Sequence, residues 1–428
     1  MRSIELFAGA GGLALGTTNA GFIHEAVVEW DRDCCRTIRE NKARGLAAVR
    51  DWPLFEMDVR EFDFASIKSV IDLLAGGPPC QPFSMGGKHR GLEDERNMFP
   101  AVASALRALA PKAFIIENVK GILRPSFHQT FEYVLRLLRF PEVTRKPSES
   151  WVEHLERLNR HQANEKRGGL SYNLDFRCFN ATDFGVPQWR ERVFIVGFRN
   201  DLEVDWQFPR PTHSLDSLLR DQWVTGEYWE RHGISKRQRP AAPERNATRL
   251  RRIAAWGNSH SDSPWRTVRD AIAGLPDPRE ADYSATIPNH WLNPGARAYA
   301  GHTGSQLDEP AKVLKAGAHG VPGGENMLAY PNGEVRYFTV RECARLQTFP
   351  DNYVIAGAWT ESMRQLGNAV PVKLAEVVAK AVAQKLALFC DGTKSTAIAG
   401  RGVSASIEKS TGSSKSKSRQ HVQRMKRG

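Results

Sequence analysis

The sequence predicts an α/β fold, in which a mostly parallel sheet carries helices on both faces. Two observations lead to this prediction. Through the first 200 residues, short apolar runs alternate with amphipathic segments, which is the rhythm of consecutive βαβ units. Glycines, a carboxylate and a proline-flanked cysteine directly follow these apolar runs. Because such a sheet binds its ligands outside the carboxyl ends of its strands, these residues are candidate site residues.

The predicted elements follow the alternation of the sequence. The strands are apolar runs bounded by glycine, proline or asparagine, namely Ser3–Phe7, Ala26–Trp30, Val70–Ala75, Ala113–Glu117, Leu174–Phe179 and Arg192–Phe198. The helices have apolar residues at helical spacing, and they are Leu13–Ala20, Asp33–Lys42, Thr339–Leu346 and Lys373–Ala387. Gly9–Gly12 is predicted to form the turn between the first strand and the first helix.

Length and composition limit the class of protein. A chain of 428 residues suggests two or three domains, and 41% hydrophobic with 25% charged residues excludes wholesale disorder or a collagen-like repeat. No apolar run is long enough to span a membrane, and the first residues lack the order of a signal peptide. We therefore expect a cytoplasmic protein with reduced cysteines. The six cysteines show no CxxC pair and no metal-binding spacing with histidine, so no metal site is predicted.

The chain divides into four predicted segments. Residues 1–200 form the α/β core, 201–336 an irregular domain, 337–390 a segment that returns to the core, and 391–428 a basic, disordered tail. Most tryptophans of the irregular domain should pack in its core; they are Trp206, Trp223, Trp229, Trp256, Trp265 and Trp291. The arginines between them suit a nucleic-acid surface instead. Within the tail, residues 394–428 carry nine basic residues against Glu408, and they could attract phosphates without sequence preference.

A glycine-rich turn follows the first predicted strand. Its glycines, Gly9 to Gly12, let the backbone approach a ligand, and Glu29 at the end of the next strand could accept hydrogen bonds from ribose hydroxyls. This motif alone fits NAD-type and S-adenosylmethionine-type cofactors equally well. Trp30 slightly favours the second, because an indole could stack on adenine. Asp58 could accept from the adenine amino group, or it could simply stabilise a turn.

Cys80 stands in a loop that prolines make rigid. The segment Gly76-Gly-Pro-Pro-Cys-Gln-Pro-Phe-Ser84 follows a predicted strand, and a preorganised nucleophile would need such a setting. A structural cysteine, the interpretation for the other five, has no such need; those five are Cys34, Cys35, Cys178, Cys343 and Cys390. A free thiol is only a few per cent ionised at neutral pH, so its surroundings should help to ionise Cys80.

A carboxylate and two arginines complete the candidate catalytic residues. Glu117 ends an apolar strand, where partial burial would raise its pKa and let it hold a proton; the alternative role is a helix cap. Arg190 and Arg192 alternate along an extended segment, which puts both guanidinium groups on one face. A lone thiol, a proton-holding carboxylate and an adenosyl cradle suit the methylation of cytosine C5. Thiolate addition at C6 makes C5 nucleophilic, and no metal is required.

Other classes explain the sequence less well. An oxidoreductase that uses a nucleotide cofactor gives no reason for the PPCQPFS segment. A binding protein that has lost catalysis is disfavoured because Cys80, Glu117, Arg190 and Arg192 are all present together.

The sequence resembles the DNA (cytosine-5)-methyltransferases, especially the single-chain bacterial enzymes of restriction–modification systems. The motifs run in the family's order from IELFAGAGGL to QLGNAVPVKLAEVVAKAV, and PPCQPFS, ENV and QxRxR are specific in combination. The resemblance implies a Rossmann-like methyltransferase core that binds S-adenosylmethionine, with 201–336 as the target-recognition domain for double-stranded DNA. It also implies base flipping, a nucleoid-associated bacterial enzyme and a cognate restriction endonuclease. The related branch that methylates tRNA has a much smaller region at 201–336.

The resemblance also implies residue roles. Cys80 would be the nucleophile, Glu117 would act on cytosine N3, Arg192 would contact the base, and Arg190 would position thiol and base. The residues implied to line the cofactor site are Phe7, Gly9, Ala10, Gly11, Gly12, Leu13, Glu29, Trp30, Asp58, Val59, Pro79, Met98, Asn368, Ala369 and Val370. The segment 338–347 would support the recognition domain, and the loop Gly301–Gly324 should approach the DNA. Trp189 stands at a position that varies in the family.

Overall fold

A seven-stranded sheet forms the centre of the molecule. The structure, a computed structural model, describes residues 1–79, 97–163, 169–255, 262–316 and 326–389. All of them belong to one compact unit, Met1–Asp391. The strands of the large sheet are β1 (Arg2–Leu6), β2 (Ile23–Glu29), β3 (Leu54–Glu56), β4 (Leu73–Gly76), β5 (Ala113–Val119), β6 (Tyr172–Asn180) and β7 (Glu191–Arg199). Cys80, Trp256, most of the loop expected to approach the DNA, and the basic tail lie outside the described residues.

The strand order is β3-β2-β1-β4-β5-β7-β6. The five strands from β3 to β5 run parallel, whereas β7 is antiparallel to both β5 and β6. The prediction of a mostly parallel α/β sheet is therefore confirmed. Because β7 runs against β5, it begins at the edge where β5 ends, and Arg192 pairs in register with Val119. This reversal brings the QWRER segment to the carboxyl edge of the parallel strands.

Helices cover both faces of the sheet. The described α-helices outside the irregular region are α1 (Gly12–Asn19), α2 (Arg32–Ala43), α3 (Phe99–Leu109), α4 (His128–Arg139), α5 (Trp151–Ala163), α10 (Val340–Leu346), α11 (Trp359–Asn368) and α12 (Val372–Ala387). Apolar residues of α3, α4 and α5 pack on one face, and those of α12 pack on the other. Helix α12 lies directly against α1, because a Cβ built on Gly16 would be 2.4 Å from that of Ala375. No helix in the described ranges is long and apolar enough to cross a membrane.

The described part of the irregular region and of its junction with α10 contains four α-helices and five short strands. The helices are α6 (Leu215–Arg220), α7 (Glu227–Arg231), α8 (Ala247–Ala254) and α9 (Val268–Ile272), and the strands are β8 (His213–Ser214), β9 (Ser263–Pro264), β10 (Ser305–Gln306), β11 (Met327–Ala329) and β12 (Val335–Tyr337). Trp229 and Trp265 are buried in a small core with Leu218 and Tyr228. Trp206, Trp223 and Trp291 pack against apolar clusters while partly exposed. Core packing is thus confirmed for the described tryptophans.

One local prediction needs correction, and some elements were missed. Strand β4 begins at Leu73 rather than Val70, and the Val70 side chain is 70% exposed. The cause lies at Asp72, which accepts a hydrogen bond from the Arg2 backbone N–H and pairs with Lys112 in place of an apolar contact. The edge strand β3 and the helices between 99 and 163 were not predicted. Strand β3 has only three residues and one neighbouring strand, so its sequence carries little apolar signal.

Candidate active site

The candidate site lies at the carboxyl edge of the parallel strands. Phe7 follows β1, Glu29 ends β2, Asp58 follows β3, and Pro78 and Pro79 follow β4. Carboxyl ends of adjacent parallel strands share one edge, so the fold brings these predicted residues together. Cys80 is the next residue after Pro79 and falls outside the described ranges.

The loop that leads to Cys80 lies against the end of β5. The Asn118 side chain donates a hydrogen bond to the Pro78 carbonyl over 3.2 Å. A Cβ built on Gly77 would be 3.2 Å from Oε2 of Glu117, so this glycine leaves the carboxylate room. Neither Asn118 nor Gly77 was predicted as a site residue. The available signal was that Asn118 directly follows Glu117 and Gly77 directly precedes the PPCQPFS segment.

Glu117 forms a largely buried ion pair with Arg192. The Arg192 Nε and Glu117 Oε1 atoms are 2.8 Å apart, and about a tenth of each side chain is exposed. Burial raises the pKa of Glu117, against the opposing effect of Arg192 and Arg190. The predicted direction of this pKa shift is confirmed. The alternative role of a helix cap is wrong, because Glu117 lies within β5 and directs its carboxylate at Arg192.

Arg190 is fully buried and bonds mainly to backbone carbonyls. Its Nη2 atom donates to Gly367 O and Ala369 O over 2.6 and 2.8 Å, and its Nη1 atom donates to Leu314 O over 3.1 Å. Burial lowers the pKa of Arg190, with a further lowering from Arg192. Arg190 thus joins three separate chain segments at the site. Its expected role towards thiol and base stays a prediction.

The glycine-rich turn and Glu29 form one hydrogen-bonded unit. Gly9 N–H donates to Glu29 Oε2 over 2.7 Å, and Trp30 N–H donates to Glu29 Oε1 over 2.9 Å. Gly9 and Gly11 have φ angles of 55° and 86°, a region that favours glycine, and a Cβ on Gly9 would meet no atom within 4 Å. Burial raises the pKa of Glu29. The open space over Gly9 and the amino end of α1 make a cradle for a polar ligand.

Further predicted cofactor residues surround this cradle. The Trp30 side chain, which follows β2, is 70% exposed. Val59, the residue after Asp58, is buried. Asp58 accepts from the Arg60 backbone N–H, so the turn role is confirmed, and the Arg60 side chain lowers the pKa of that carboxyl. Whether Asp58 also binds adenine stays a prediction. Met98 packs partly buried just before α3.

The segment 367–370 closes the cradle from the C-terminal side. A Cβ built on Gly12 would lie only 2.2 Å from the Val370 carbonyl oxygen, so the two segments are in direct contact. The Tyr353 hydroxyl donates a hydrogen bond to Ala10 O over 2.8 Å and so helps to hold the glycine-rich turn. Asn368 is exposed beside the buried Ala369 and Val370. The structure therefore brings the first and last predicted motifs together.

None of the four cysteines in the described ranges has surroundings that would favour a reactive thiolate. Cys34, Cys35 and Cys343 are buried, and Cys178 is half-buried. Burial raises the pKa of each of these four thiols, which disfavours the thiolate. The structural interpretation is thus confirmed for the three buried cysteines and is supported for Cys178. Cys390 lies outside the described ranges.

One carboxylate cluster of the described residues is compact enough to hold a metal ion. Oxygens of Asp31, Asp33 and Glu361 lie within 4.8 Å of one another. The Arg364 side chain donates to both Asp31 and Glu361, with Nη2 to oxygen distances of 2.8 and 2.6 Å. This arginine already supplies positive charge to the cluster. We therefore assign the three carboxylates a structural role.

The strand order, the glycine turn and the acid at the end of β2 together define a Rossmann-like α/β methyltransferase core. Solved structures share this fold. A DNA modification methyltransferase encoded in an E. coli prophage superposes with a TM-score of 0.54 at 21% identity, covering 90% of this chain and 99% of that one. The S. pombe Dnmt2 methyltransferase gives a TM-score of 0.50 at 17% identity, covering 91% and 99%.

The chain belongs to the C-5 cytosine-specific DNA methylase family, whose model matches residues 1–140 and 151–384. The Type II methyltransferase M.Eco47II of Escherichia coli is 31% identical over 387 residues, which cover 90% of this chain and 79% of the relative. The Type II methyltransferase M.NgoMIV of Neisseria gonorrhoeae is 28% identical over 393 residues, covering 90% and 97%. The protein is therefore a DNA (cytosine-5-)-methyltransferase, and the oxidoreductase alternative is wrong.

Proposed function

We propose that this enzyme transfers a methyl group from S-adenosylmethionine to C5 of a cytosine within a specific double-stranded DNA sequence, through base flipping and a covalent bond between Cys80 and C6. One observation carries the proposal. The carboxyl group of Glu117, whose pKa is raised by burial, lies beside the loop that leads to Cys80, with Gly77 and Asn118 as the contacts. A nucleophile and an acid on adjacent strand ends can act on opposite parts of one pyrimidine ring.

The chain's own residues supply the steps at the base. The Cys80 thiolate adds to C6 while Glu117 gives a proton or hydrogen bond to N3, so electron density moves to C5. Arg192 holds the Glu117 carboxylate at 2.8 Å and contacts the base. After methyl transfer, loss of the C5 proton expels the thiol and restores the aromatic ring. A raised pKa suits Glu117 to this task, because a carboxylate with its usual pKa would be ionised at neutral pH.

S-adenosylmethionine fits the residues of the glycine cradle. The space over Gly9 is open to a ligand, and Glu29 Oε2 makes one backbone hydrogen bond and can accept another. Trp30 offers an exposed indole for adenine, and Asp58 follows β3, the strand next to β2 in the sheet. The remaining residues that would hold the cofactor are Phe7, Ala10, Gly11, Gly12, Leu13, Val59, Pro79, Met98, Asn368, Ala369 and Val370. When bound, the sulfonium supplies an electrophilic methyl group.

The irregular region is proposed to read the DNA. Cytosine C5 and C6 cannot be attacked within a stacked duplex, so the base must leave the helix. Within the region's arginine clusters, Arg249 and Arg252 pair with Asp216, which favours a local structural role. Lys236 and Arg237 are exposed and suit contacts with phosphates or guanine edges. We take 201–336 as the target-recognition domain, with 1–200 and 337–390 as the catalytic core.

The biological role follows from the relatives by analogy. The relatives are named Type II methyltransferases, and by analogy we propose that this enzyme protects host DNA from a cognate restriction endonuclease. Its place would then be with the nucleoid in the bacterial cytoplasm.

The test is bisulfite sequencing of DNA from cells that express the chain, with Cys80→Ala as the matched control. We expect methylated cytosines at one short sequence for the wild type and none for the variant. Unmethylated DNA from cells that hold folded wild-type protein would contradict the proposal.

A further inference from the structure

Gln188 is a fully buried glutamine at the start of the QWRER segment, and its side chain is bonded on both sides. Its Oε1 atom accepts from Leu314 N–H over 3.0 Å and from Arg190 Nη1 over 3.4 Å. Its Nε2 atom donates to Leu346 O over 3.4 Å, at the end of α10. One amide group therefore touches an arginine of the site, the irregular region and the segment that follows it.

The residues 311–316, called here the strap, run beside the QWRER segment. Pro187 O accepts from Ala311 N–H over 2.9 Å, and Trp189 N–H donates to Ala311 O over 2.8 Å. These two bonds form a parallel bridge centred on Gln188. The strap thus pairs with the chain immediately before β7, as a short added strand would.

The strap is also held on its other side and at its end. A Cβ built on Gly367 would be 2.2 Å from Ala316 N, so strap and segment 367–370 touch without space for a side chain. The buried Asn326 side chain accepts from Lys315 N–H over 3.1 Å and donates to Lys315 O over 2.9 Å. The two chain ends that flank residues 317–325 are therefore tied to each other.

We propose that Gln188 is a positioning residue that couples the irregular region to the catalytic arginines. Its Oε1 atom accepts hydrogen bonds from both the Leu314 N–H and the Arg190 guanidinium. Arg190 Nη1 also donates to Leu314 O, so the three residues are bonded to one another. Arg190 is two residues before Arg192, which pairs with Glu117. A shift of the strap when DNA binds must therefore move the start of β7, and with it the Arg192–Glu117 pair. This inference rests on the proposed function and adds a route by which a correct sequence aligns the site.

The test compares three variants by single-turnover methylation of a duplex that carries the target sequence. Gln188→Leu keeps the volume and removes every side-chain hydrogen bond, whereas Gln188→Glu keeps the acceptor for Leu314 and Arg190. Tyr133→Phe is the control, because it removes one buried hydrogen bond, to His154, between α4 and α5. We expect Gln188→Leu to lower the single-turnover rate by roughly tenfold or more, with cofactor affinity unchanged. Gln188→Glu should stay within about threefold of wild type, and Tyr133→Phe should match wild type in rate.

A second readout is the ratio of kcat/KM for the target duplex to that for a duplex with one altered base pair. Gln188→Leu should reduce this ratio, which a loss of stability alone would not do. An unchanged rate and ratio in Gln188→Leu would overturn the inference. A loss of roughly tenfold or more relative to wild type in folded Gln188→Glu would overturn it as well, and this comparison does not require Gln188→Leu to fold. A wild-type enzyme that methylates no cytosine would instead contradict the proposed function, so the two failures are distinguishable.

Discussion

Replacing Glu117 by glutamine tests the acid at the centre of the site. The variant keeps an oxygen that can contact Arg192 at 2.8 Å, so the packing of β5 against β7 should persist. It loses the ion pair and leaves the largely buried Arg192 guanidinium without a counter-charge, and breaking a buried pair in this way costs about 3–5 kcal/mol. Because the amide oxygen can still accept from Arg192, we expect the free energy of unfolding to fall by less than this, by about 1–3 kcal/mol.

The catalytic effect of this replacement should be much larger. Glutamine cannot transfer a proton to cytosine N3, and general acid catalysis contributes about 10²- to 10⁴-fold to rate, so we expect a loss of that size. The assay is single-turnover methylation with saturating cofactor, beside urea unfolding of both proteins. Burial raises the pKa of Glu117, so the wild type should lose the acid form, and rate, as pH rises through that raised pKa. Glutamine should abolish this dependence. A variant within tenfold of the wild-type rate would refute the reasoning.

Three further predictions concern other parts of the chain. Gly12→Ala should lower the free energy of unfolding by about 1–3 kcal/mol and weaken cofactor binding, because the new Cβ would lie 2.2 Å from Val370 O. Urea unfolding measures the first effect and calorimetric titration the second. An unchanged cofactor affinity would contradict the proposal that the glycine-rich turn binds the cofactor. Burial lowers the pKa of His24 to about 4, so the folded state resists protonation. The free energy of unfolding should be at its full value above pH 6.5 and fall by about 3 kcal/mol as the pH drops from 6.5 to 4. His24→Gln should flatten that fall in acid unfolding curves. Removing residues 394–428 should weaken non-specific DNA binding and reduce its dependence on salt, without altering the methylated sequence; an equal salt slope in titrations of both forms would show that the tail is inert.

The sequence predicted the parts of the fold that depend on local pattern. Buried parallel strands are apolar runs, so β1 and β5 were found within two residues of their true bounds, whereas β2 begins at Ile23, three residues before the predicted Ala26. The place of β7 between β5 and β6 depends on pairing between distant residues, which no local pattern encodes. The start of β4 was misplaced because Asp72, a polar residue within an apolar run, bonds to Arg2 and Lys112 outside the strand.

The candidate site shows the same division. Residues at strand ends, such as Glu29 and Glu117, were predictable because their chemistry interrupts an apolar run. Contacts that join distant segments were not, and the bond from Asn118 to Pro78 and that from Leu314 to Gln188 are examples. For Arg190, one feature was predictable and another was not. Its place on the same face as Arg192 follows from the alternation of side chains along an extended segment. Its hydrogen bonds to the carbonyls of residues 314, 367 and 369 depend on how the C-terminal segment packs against the core.

The central claim is a transient bond between the Cys80 sulfur and the target base, and a fluorinated duplex tests it most directly. Fluorine at cytosine C5 prevents the final elimination, so an enzyme that adds its thiol should remain attached to the DNA after transfer. We expect a denaturant-resistant adduct that peptide mass spectrometry assigns to Cys80, and no adduct with Cys80→Ala. Active enzyme and cofactor that give no adduct, or an adduct on another cysteine such as Cys178, would contradict the claim.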